Sequence, residues 1–266
     1  MPDLLKVQDL RVHFHDAAPN RFAVDGVSFS MDEGEILGLV GESGSGKTVT
    51  AMSICGLLPK EDADINGNIT VGGREIFRCS QKEMLEMLGT EIGVVFQEPM
   101  TSMNPVMRIG PQIEESLRVH TNLTKAERKQ RALEAMDLAE LNDPERVYNK
   151  YPHELSGGML QRAMIAAAII SRPKLLLADE PTTALDVTIQ AEILELLKRL
   201  NREHNMAILL ISHNLHVVRK LCTRVVVMQR GKLVEDRAVE DVFNAPEHEY
   251  TKRLIAAIPT RERKLI

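Results

Sequence analysis

Two N-terminal segments alternate apolar and polar residues in the manner of half-exposed β-strands. They are "LLKVQDLRVHF" (4–14) and "VDGVSFSM" (24–31), and the stretch "HDAAPN" between them is typical of a turn or loop. This alternation predicts an antiparallel β portion near the N-terminus.

Further along the chain, short continuous apolar runs are separated by stretches of helical period. The runs predict buried strands, and strands that alternate with helices indicate βαβ units with a parallel sheet. The predicted strands are 34–41, 91–97, 174–179, 206–212 and 224–229, and the predicted helices are 47–58, 188–204 and 215–221.

The segment 99–172 differs from the rest, because its patterns at 110–120 and 124–141 are helical. The second pattern opens with Thr124 and has Glu127 three residues later, as a capping box does. We therefore predict one domain over 1–266, with an α/β core of 1–98 and 173–235, a helical subdomain of 99–172 and a helical tail of 236–266.

Composition excludes several function classes. The 266 residues carry a net charge of −5, and aromatic residues make up 3% with no Trp, which argues against a nucleic-acid partner. The scattered Cys55, Cys79 and Cys222 form no ligand spacing and fit small buried hydrophobes in a reducing cytosol. The apolar run 163–170 is too short to cross a membrane, and the N-terminus lacks a signal-peptide pattern. These features predict a cytoplasmic chain, unless something else holds it at a membrane.

The stretch "GESGSGKT" (41–48) fits the pattern G-x-x-x-x-G-K-[ST], and it follows a predicted strand and opens a predicted helix. Glycines let backbone N–H groups surround phosphate oxygens, and a helix N-terminus favours negative charge. We predict that Lys47 reaches the β- and γ-phosphates of ATP and that the Thr48 hydroxyl binds Mg²⁺. The predicted nucleotide-binding residues here are Gly41, Glu42, Ser43, Gly44, Ser45, Gly46, Lys47, Thr48 and Val49.

Two acidic residues end the apolar strand "KLLLADE" (174–180). Parallel strands present their carboxyl ends to the ligand, so Asp179 is predicted to hold Mg²⁺ and Glu180 to polarise the attacking water. Gln97 and His213 also follow predicted strands. An amide at Gln97 suits a metal-bound or attacking water, and the imidazole of His213 suits a contact with the γ-phosphate.

The stretch "HELSGGMLQR" (153–162) has the form of a second anion-binding helix N-terminus, with Ser156, Gly157 and Gly158 ahead of a predicted helix. Taken in order, "GESGSGKT", "FQEP", "LSGGM", "LLLADE", "ALD" and "SH" resemble the motifs of the ATP-binding cassette (ABC) ATPases over nearly the whole chain. The resemblance implies an α/β fold, a P-loop NTPase (RecA-like) core with an N-terminal antiparallel β portion and an inserted α-helical subdomain.

The segments 93–113, 151–159, 178–197 and 248–259 are similar to one subfamily, the ATPases of bacterial oligopeptide, dipeptide and nickel importers. That resemblance implies the catalytic residues Glu180 (the base), Gln97 and His213, and the Mg²⁺ ligands Thr48, Gln97 and Asp179. It implies that Phe14 stacks on adenine, with Phe22 as a rival, and that Asp186 communicates across a dimer. Ser156, Gly157 and Gly158 would then complete the ATP site of a second subunit.

The resemblance also implies partners: a second ABC ATPase subunit, identical or not, two integral membrane permeases that contact the segment 99–172, and an extracytoplasmic solute-binding protein. The chain would lie at the cytoplasmic face of a bacterial membrane, with ATP and Mg²⁺ as cofactors. An exporter's ATPase, a soluble cassette protein acting on DNA or ribosomes, and a non-catalytic nucleotide sensor are the alternatives.

The sequence departs from the subfamily pattern at Leu160, Asn214 and His216, and Met159 replaces the Gln of cassettes at large. None of these positions carries a catalytic group. Many relatives continue into a segment with clustered cysteines that is similar to an iron–sulfur site. We find no such ligands here and expect no iron–sulfur cluster.

Overall fold

A computed structural model describes residues 3–18, 20–59, 61–183 and 185–258. The chain divides into two compact units. The first unit comprises Met1–Asp32, Ile36–Phe77 and Leu210–Ile266, and the second comprises Glu33–Glu35 and Arg78–Leu209.

The described residues form ten strands and twelve α-helices. The strands are β1 Leu5–Phe14, β2 Val24–Met31, β3 Ile36–Val40, β4 Ala63–Val71, β5 Arg74–Glu75, β6 Ile92–Val95, β7 Leu175–Asp179, β8 Ala207–Ser212, β9 Arg224–Gln229 and β10 Lys232–Ala238. The helices are α1 Lys47–Ile54, α2 Gln81–Thr90, α3 Pro99–Ser102, α4 Ile109–Ile113, α5 Glu115–His120, α6 Lys125–Leu138, α7 Pro144–Tyr148, α8 Gly157–Ile169, α9 Val187–His204, α10 Leu215–Leu221, α11 Val239–Asn244 and α12 Glu249–Ala256.

The first unit contains the antiparallel sheet that the N-terminal alternation predicts, in the order β2-β1-β4-β5. In β1, buried and exposed residues alternate except at one point. The pairing register with β2 shifts there, between Val7 and Leu10. Asp9 adopts φ 45° at this shift, and its N–H donates to Ser28 Oγ at 2.8 Å. The irregularity is a β-bulge, and it bends the strand without exposing its apolar face.

The first unit also contains strands of the second sheet, in the order β10-β9-β3-β8, with β10 antiparallel to β9. All five residues of β3 are buried, and β3 pairs with β9 in parallel, from Leu37 opposite Arg224 to Val40 opposite Val227. Helix α1 begins seven residues after β3 ends. This strand–loop–helix unit sets the position of the loop 41–46.

In the second unit the strand order is β8-β7-β6, and only the first residues of β8 belong to this unit. β6 and β7 are parallel, from Ile92 opposite Leu175 to Val95 opposite Ala178. The elements α3 to α8 lie between these two strands in sequence, and α9 follows β7. The buried face of α9 carries Ile193, Leu194, Leu196, Leu197 and Leu200 at helical spacing.

Several elements differ from the sequence-based predictions. Strands β4, β5 and β10 and helix α2 were not predicted. The pattern 110–120 forms two helices, α4 and α5, that meet at the buried Glu114, and the C-terminal segment forms two short helices, α11 and α12. Helix α6 begins with the predicted capping box of Thr124 and Glu127, in which each residue bonds the other's backbone N–H.

The cysteines do not share one environment. Burial raises the pKa of the Cys55 thiol to about 12 and also raises that of Cys222, so both are inert small hydrophobes. Cys79 is only half-buried, and for this residue the prediction of a buried hydrophobe is wrong. Among the residues that the structure describes, no helix is both long and apolar enough to span a bilayer.

Candidate functional site

The loop between β3 and α1 has a backbone that only glycine can adopt at two positions. Gly41 has φ 155° and Gly46 has φ 103°. A Cβ at Gly46 would lie 2.5 Å from the carbonyl oxygen of Ala23, and one at Gly41 would overlap the carbonyl oxygen of Met228. The glycines therefore let this loop pass close to neighbouring backbone.

Lys47 is enclosed by its own loop. Its side chain is buried, and Nζ donates to the carbonyl oxygens of Gly41 at 2.8 Å and Glu42 at 3.0 Å. The Ser45 hydroxyl is also buried, and it makes no hydrogen bond with the described part of the chain. Thr48 lies exposed in the first turn of α1 and Val49 is half-buried beside it. An ammonium fixed by the loop, a buried hydroxyl and a helix N-terminus together fit phosphate oxygens.

In the second unit, the structure brings Gln97 and Glu180 together. The Gln97 amide Nε2 donates to Glu180 Oε2 at 2.9 Å, and Thr183 Oγ1 donates to the same oxygen at 2.9 Å. Glu180 has φ 47°, a left-handed conformation that is rare for this residue type and is found at functional sites. The buried Asp179 ends β7 and immediately precedes it. This arrangement holds a carboxylate in one orientation at the end of a buried strand.

The segment 156–158 forms the N-terminus of α8, as predicted. Ser156 is the N-cap, and its Oγ accepts the N–H of Met159 at 3.3 Å. Ser156 and Gly157 are exposed, while Gly158 approaches Ile189 so closely that a Cβ there would lie 2.8 Å from its Cγ2. The exposed N–H groups at this end of α8 are available to an anion from outside the unit.

Asp186 has a local structural task. Its Oδ1 accepts the N–H groups of Thr188 at 3.1 Å and Ile189 at 3.0 Å, so Asp186 is the N-cap of α9. Its neighbour Ala184, the first residue of the "ALD" motif, lies outside the described residues.

His213 and the two candidate aromatic residues belong to the first unit. His213 directly follows β8 and is exposed. Phe14 is the half-buried last residue of β1 and pairs with Ala63, while Phe22 is exposed and contacts the ring of His13 edge-on at 5.5 Å between centroids. Both rings are accessible enough to stack on a base, so Phe14 and Phe22 both remain candidates for the adenine contact.

Sequence reasoning missed Thr183 and Arg162. Thr183 stands in "DEPTTALD", and its position three residues after Glu180 was the available signal. Arg162 is buried within α8, where it bonds the carbonyl oxygen of Ala139 at 3.1 Å, Glu140 at 2.6 Å and Glu192 at 2.9 Å. These bonds fix the helix whose N-terminus carries Ser156.

Curated relatives match this chain over almost its full length. A probable peptide ABC transporter ATP-binding protein of Sinorhizobium fredii is 48% identical over 261 residues, which cover 98% of this chain and 78% of the relative. A dipeptide transport ATP-binding protein of Escherichia coli is 46% identical, with coverages of 96% and 78%. An oligopeptide transport ATP-binding protein of Bacillus subtilis is 47% identical, with coverages of 97% and 73%.

Solved structures share the fold. A dimeric ATP-binding cassette in a post-hydrolysis state, bound to ADP and Pi, superposes with a TM-score of 0.78 at 28% identity, covering 88% of this chain and 98% of that one. A cassette from Clostridium perfringens that is part of an ABC transporter complex gives a TM-score of 0.78 at 25% identity, covering 97% and 96%. These neighbours confirm the predicted fold class, a P-loop NTPase cassette with antiparallel β and α-helical portions.

The family model described as ABC transporter matches residues 24–183, from β2 through the loop 41–48 to Thr183. The match agrees with the relatives, with the solved cassettes, with the geometry of the loop 41–48 and with that of Gln97 and Glu180. The chain therefore belongs to the ABC transporter family, as one of its ATP-binding and ATP-hydrolysing subunits.

Proposed function

We propose that this ABC ATPase powers the import of peptides. The observation that carries the proposal is the identity of 46–48% over at least 96% of the chain to proteins named for peptide and dipeptide transport. A related small solute such as nickel is the second candidate, because the importer subfamily that the motifs resemble includes nickel importers. The relatives described above are named for peptide, dipeptide and oligopeptide transport, which favours neither an exporter nor a cassette protein unrelated to transport.

In the proposed mechanism, the loop 41–49 binds the phosphates of ATP. The Lys47 ammonium donates to two backbone carbonyl oxygens, so its position in the loop is fixed before the nucleotide binds. A preorganised cation costs no reorganisation when charge develops on the transferred phosphoryl group. Phe14, or its rival Phe22, is proposed to stack on the adenine.

Thr48, Gln97 and Asp179 are proposed to hold Mg²⁺, since hydroxyl, amide and carboxylate oxygens are the ligands that this hard cation prefers. Bound Mg²⁺ supplies charge neutralisation to the β- and γ-phosphates.

Glu180 is proposed to act as the general base. A base must be within hydrogen-bond reach of the attacking water in a fixed orientation, and Gln97 and Thr183 fix the Glu180 carboxylate from two sides. His213 is proposed to contact the γ-phosphate and to sense its presence.

A second ATPase subunit is proposed to complete the site. Ser156, Gly157 and Gly158 would donate to the γ-phosphate held by the partner, and Asp186 would carry the signal across the interface through its cap on α9. The dimeric state of a solved cassette neighbour supports this part of the proposal. Two permeases would contact the segment 99–172 at the cytoplasmic face of the membrane, and an extracytoplasmic solute-binding protein would deliver the solute.

The test is reconstitution of this chain with the proposed permeases, second ATPase and binding protein, in liposomes that contain ATP. Uptake of a labelled dipeptide, a labelled oligopeptide and Ni²⁺ is measured, with the Glu180→Gln variant as the inactive control. We expect peptide uptake that requires ATP and Glu180. Uptake of Ni²⁺ without peptide uptake would show that the solute is nickel and not a peptide. A rate of ATP hydrolysis that is the same with and without the permeases would refute a transport role.

A further inference from the structure

The C-terminal helix α12 contacts the phosphate-binding loop through one hydroxyl group. Tyr250 is buried in the first turn of α12, and its hydroxyl oxygen accepts the backbone N–H of Glu42 at 2.9 Å. Glu42 is the second residue of the loop 41–48. Both residues belong to the first unit of the chain.

This hydrogen bond acts on the same peptide group that holds Lys47. The peptide that joins Gly41 to Glu42 is trans, so its carbonyl oxygen and its N–H point in opposite directions from one plane. The carbonyl oxygen accepts from Lys47 Nζ at 2.8 Å, and the N–H donates to Tyr250. The plane is therefore held from both sides, and rotation of the peptide would break both bonds.

The position of Tyr250 is itself fixed from β10. The buried Glu235 side chain accepts the N–H groups of Glu247 at 3.0 Å and His248 at 3.2 Å, immediately ahead of α12. His248 is the N-cap of α12, where its Nδ1 accepts the Tyr250 N–H at 3.2 Å. Carboxylate and cap together hold the first turn of α12 against the strand.

The helix does not cover the loop closely elsewhere. A cavity of about 280 Å³ is lined by loop residues 42–45 and by Tyr250, Arg253 and Leu254. Burial raises the pKa of the Tyr250 phenol, so the hydroxyl is neutral at physiological pH. Tyr250 thus forms a defined polar contact across a loosely filled space.

We propose that Tyr250 is a positioning residue for nucleotide binding, which fixes the Gly41–Glu42 peptide and through it the ammonium of Lys47. The C-terminal helix then sets the nucleotide affinity of the loop, and a movement of α12 would weaken it. The proposal rests on the assignment of the loop 41–48 to phosphate binding.

The experiment compares Tyr250→Phe with Tyr148→Phe in the full chain. Tyr148 is the control, because it is a second buried tyrosine with a hydrogen-bonded hydroxyl, which donates to the side chain of Glu114 in the other unit. The dissociation constant of a fluorescent ADP analogue with Mg²⁺ is measured for each variant. One lost hydrogen bond predicts about a three- to tenfold weaker affinity for Tyr250→Phe and no change for Tyr148→Phe.

Hydrogen exchange at the Glu42 amide separates positioning from general destabilisation. We expect faster exchange of this amide in Tyr250→Phe, with a melting temperature within the range of the control. Equal affinity and equal exchange in Tyr250→Phe and wild type would overturn the proposal, as would equal weakening in both variants. Failure of the wild type to bind the analogue would instead refute the phosphate-loop assignment.

Discussion

Gln97 and Glu180 are joined by a 2.9 Å hydrogen bond from Nε2 to Oε2, although they lie 83 positions apart in the chain. Gln97 follows β6 and Glu180 follows β7, and these strands are parallel neighbours with Val95 opposite Ala178. Because the carboxyl ends of parallel strands meet at one edge, the two side chains reach each other directly after their strands end. The pair is therefore a consequence of strand register.

The first prediction concerns the charge at Glu180. Glu180→Gln keeps the shape and a hydrogen-bonding oxygen for Gln97 and Thr183, but it cannot accept a proton from water. We expect ATP hydrolysis by the assembled complex to fall by about a hundredfold or more, while the affinity for ATP stays near that of the wild type. Phosphate release and nucleotide binding are measured on the same preparation.

The control for this prediction is Glu86→Gln, which removes one negative charge from an exposed position of α2. It should hydrolyse ATP at the wild-type rate. If the second ATPase subunit is a different protein, its corresponding glutamate must be replaced as well. Wild-type hydrolysis by a complex with both replacements would show that Glu180 is not the base.

The second prediction concerns the glycines of the loop. A Cβ at Gly46 would lie 2.5 Å from the Ala23 carbonyl oxygen, whereas a Cβ at Gly44 would meet no atom within 4 Å. Gly46→Ala should cost about 3 kcal/mol or more of unfolding free energy and abolish nucleotide binding, because backbone must move. Gly44 has φ 77°, so Gly44→Ala should cost only about 1–2 kcal/mol for its left-handed conformation.

Chemical denaturation of both variants measures this difference. Both positions have a positive φ, so both variants carry backbone strain. The difference between their unfolding free energies therefore reports the clash of the new Cβ with the Ala23 carbonyl oxygen. Equal losses of stability at the two positions would mean that the close approach to Ala23 is not what requires a glycine.

The elements that could be predicted from sequence are those whose pattern is local. Strands such as β3 and β7 are uninterrupted apolar runs with polar ends, and their motifs stand at those ends. Strand β4 keeps its alternation, but it was missed because its centre, Asn66, Gly67 and Asn68, has the residue types of a turn. Gly67 has φ 106°, and a Cβ there would lie 2.5 Å from the carbonyl oxygen of Asp9, so this strand depends on the bulge in β1.

The same distinction applies to the candidate site. Gln97, Asp179 and Glu180 could be predicted because each lies at or just after the end of a strand, but the hydrogen bond of Thr183 depends on the left-handed turn at Glu180. Tyr250 could not be predicted, because its partner is a backbone N–H 208 positions away. Every residue except proline has a backbone N–H, so the residue types do not indicate which N–H a distant side chain will contact.

The third prediction concerns the N-cap of α8. Ser156→Ala removes the acceptor for the Met159 N–H and should cost about 1 kcal/mol of unfolding free energy. If Ser156 also binds the partner's nucleotide, ATP hydrolysis should fall by more than this loss of stability explains. Urea unfolding and the ATPase rate of the assembled complex are measured together.

Ser80→Ala is the matched control for Ser156→Ala. Ser80 caps α2 in the same unit, and its Oγ accepts the Glu83 N–H at the same distance of 3.3 Å. We expect a similar loss of stability and an unchanged rate of hydrolysis. A normal rate in Ser156→Ala would remove Ser156 from the proposed intersubunit site.

The last prediction concerns pH and Glu235. Burial alone would raise the pKa of this carboxyl, but the N–H groups of Glu247 and His248 and the nearby Arg237 outweigh it and hold the pKa below the ordinary value of 4.5. A carboxyl whose pKa is lowered on folding binds its proton more readily in the unfolded chain. Its stabilisation is therefore complete above pH 4.5 and is lost as pH falls through the lowered folded-state pKa.

Glu235→Gln should accordingly be less stable than the wild type by about 2 kcal/mol at pH 7, since hydrogen bonds to a charged group are lost. The difference should shrink as the pH falls below 4.5 and through the lowered folded-state pKa, because the wild type then loses the same charge. Urea unfolding at several pH values measures it. Glu247→Gln, at a largely exposed side chain that pairs with the same Arg237, is the control and should track the wild type at every pH. A constant difference between Glu235→Gln and wild type across this range would mean that the charge of Glu235 does not anchor α12.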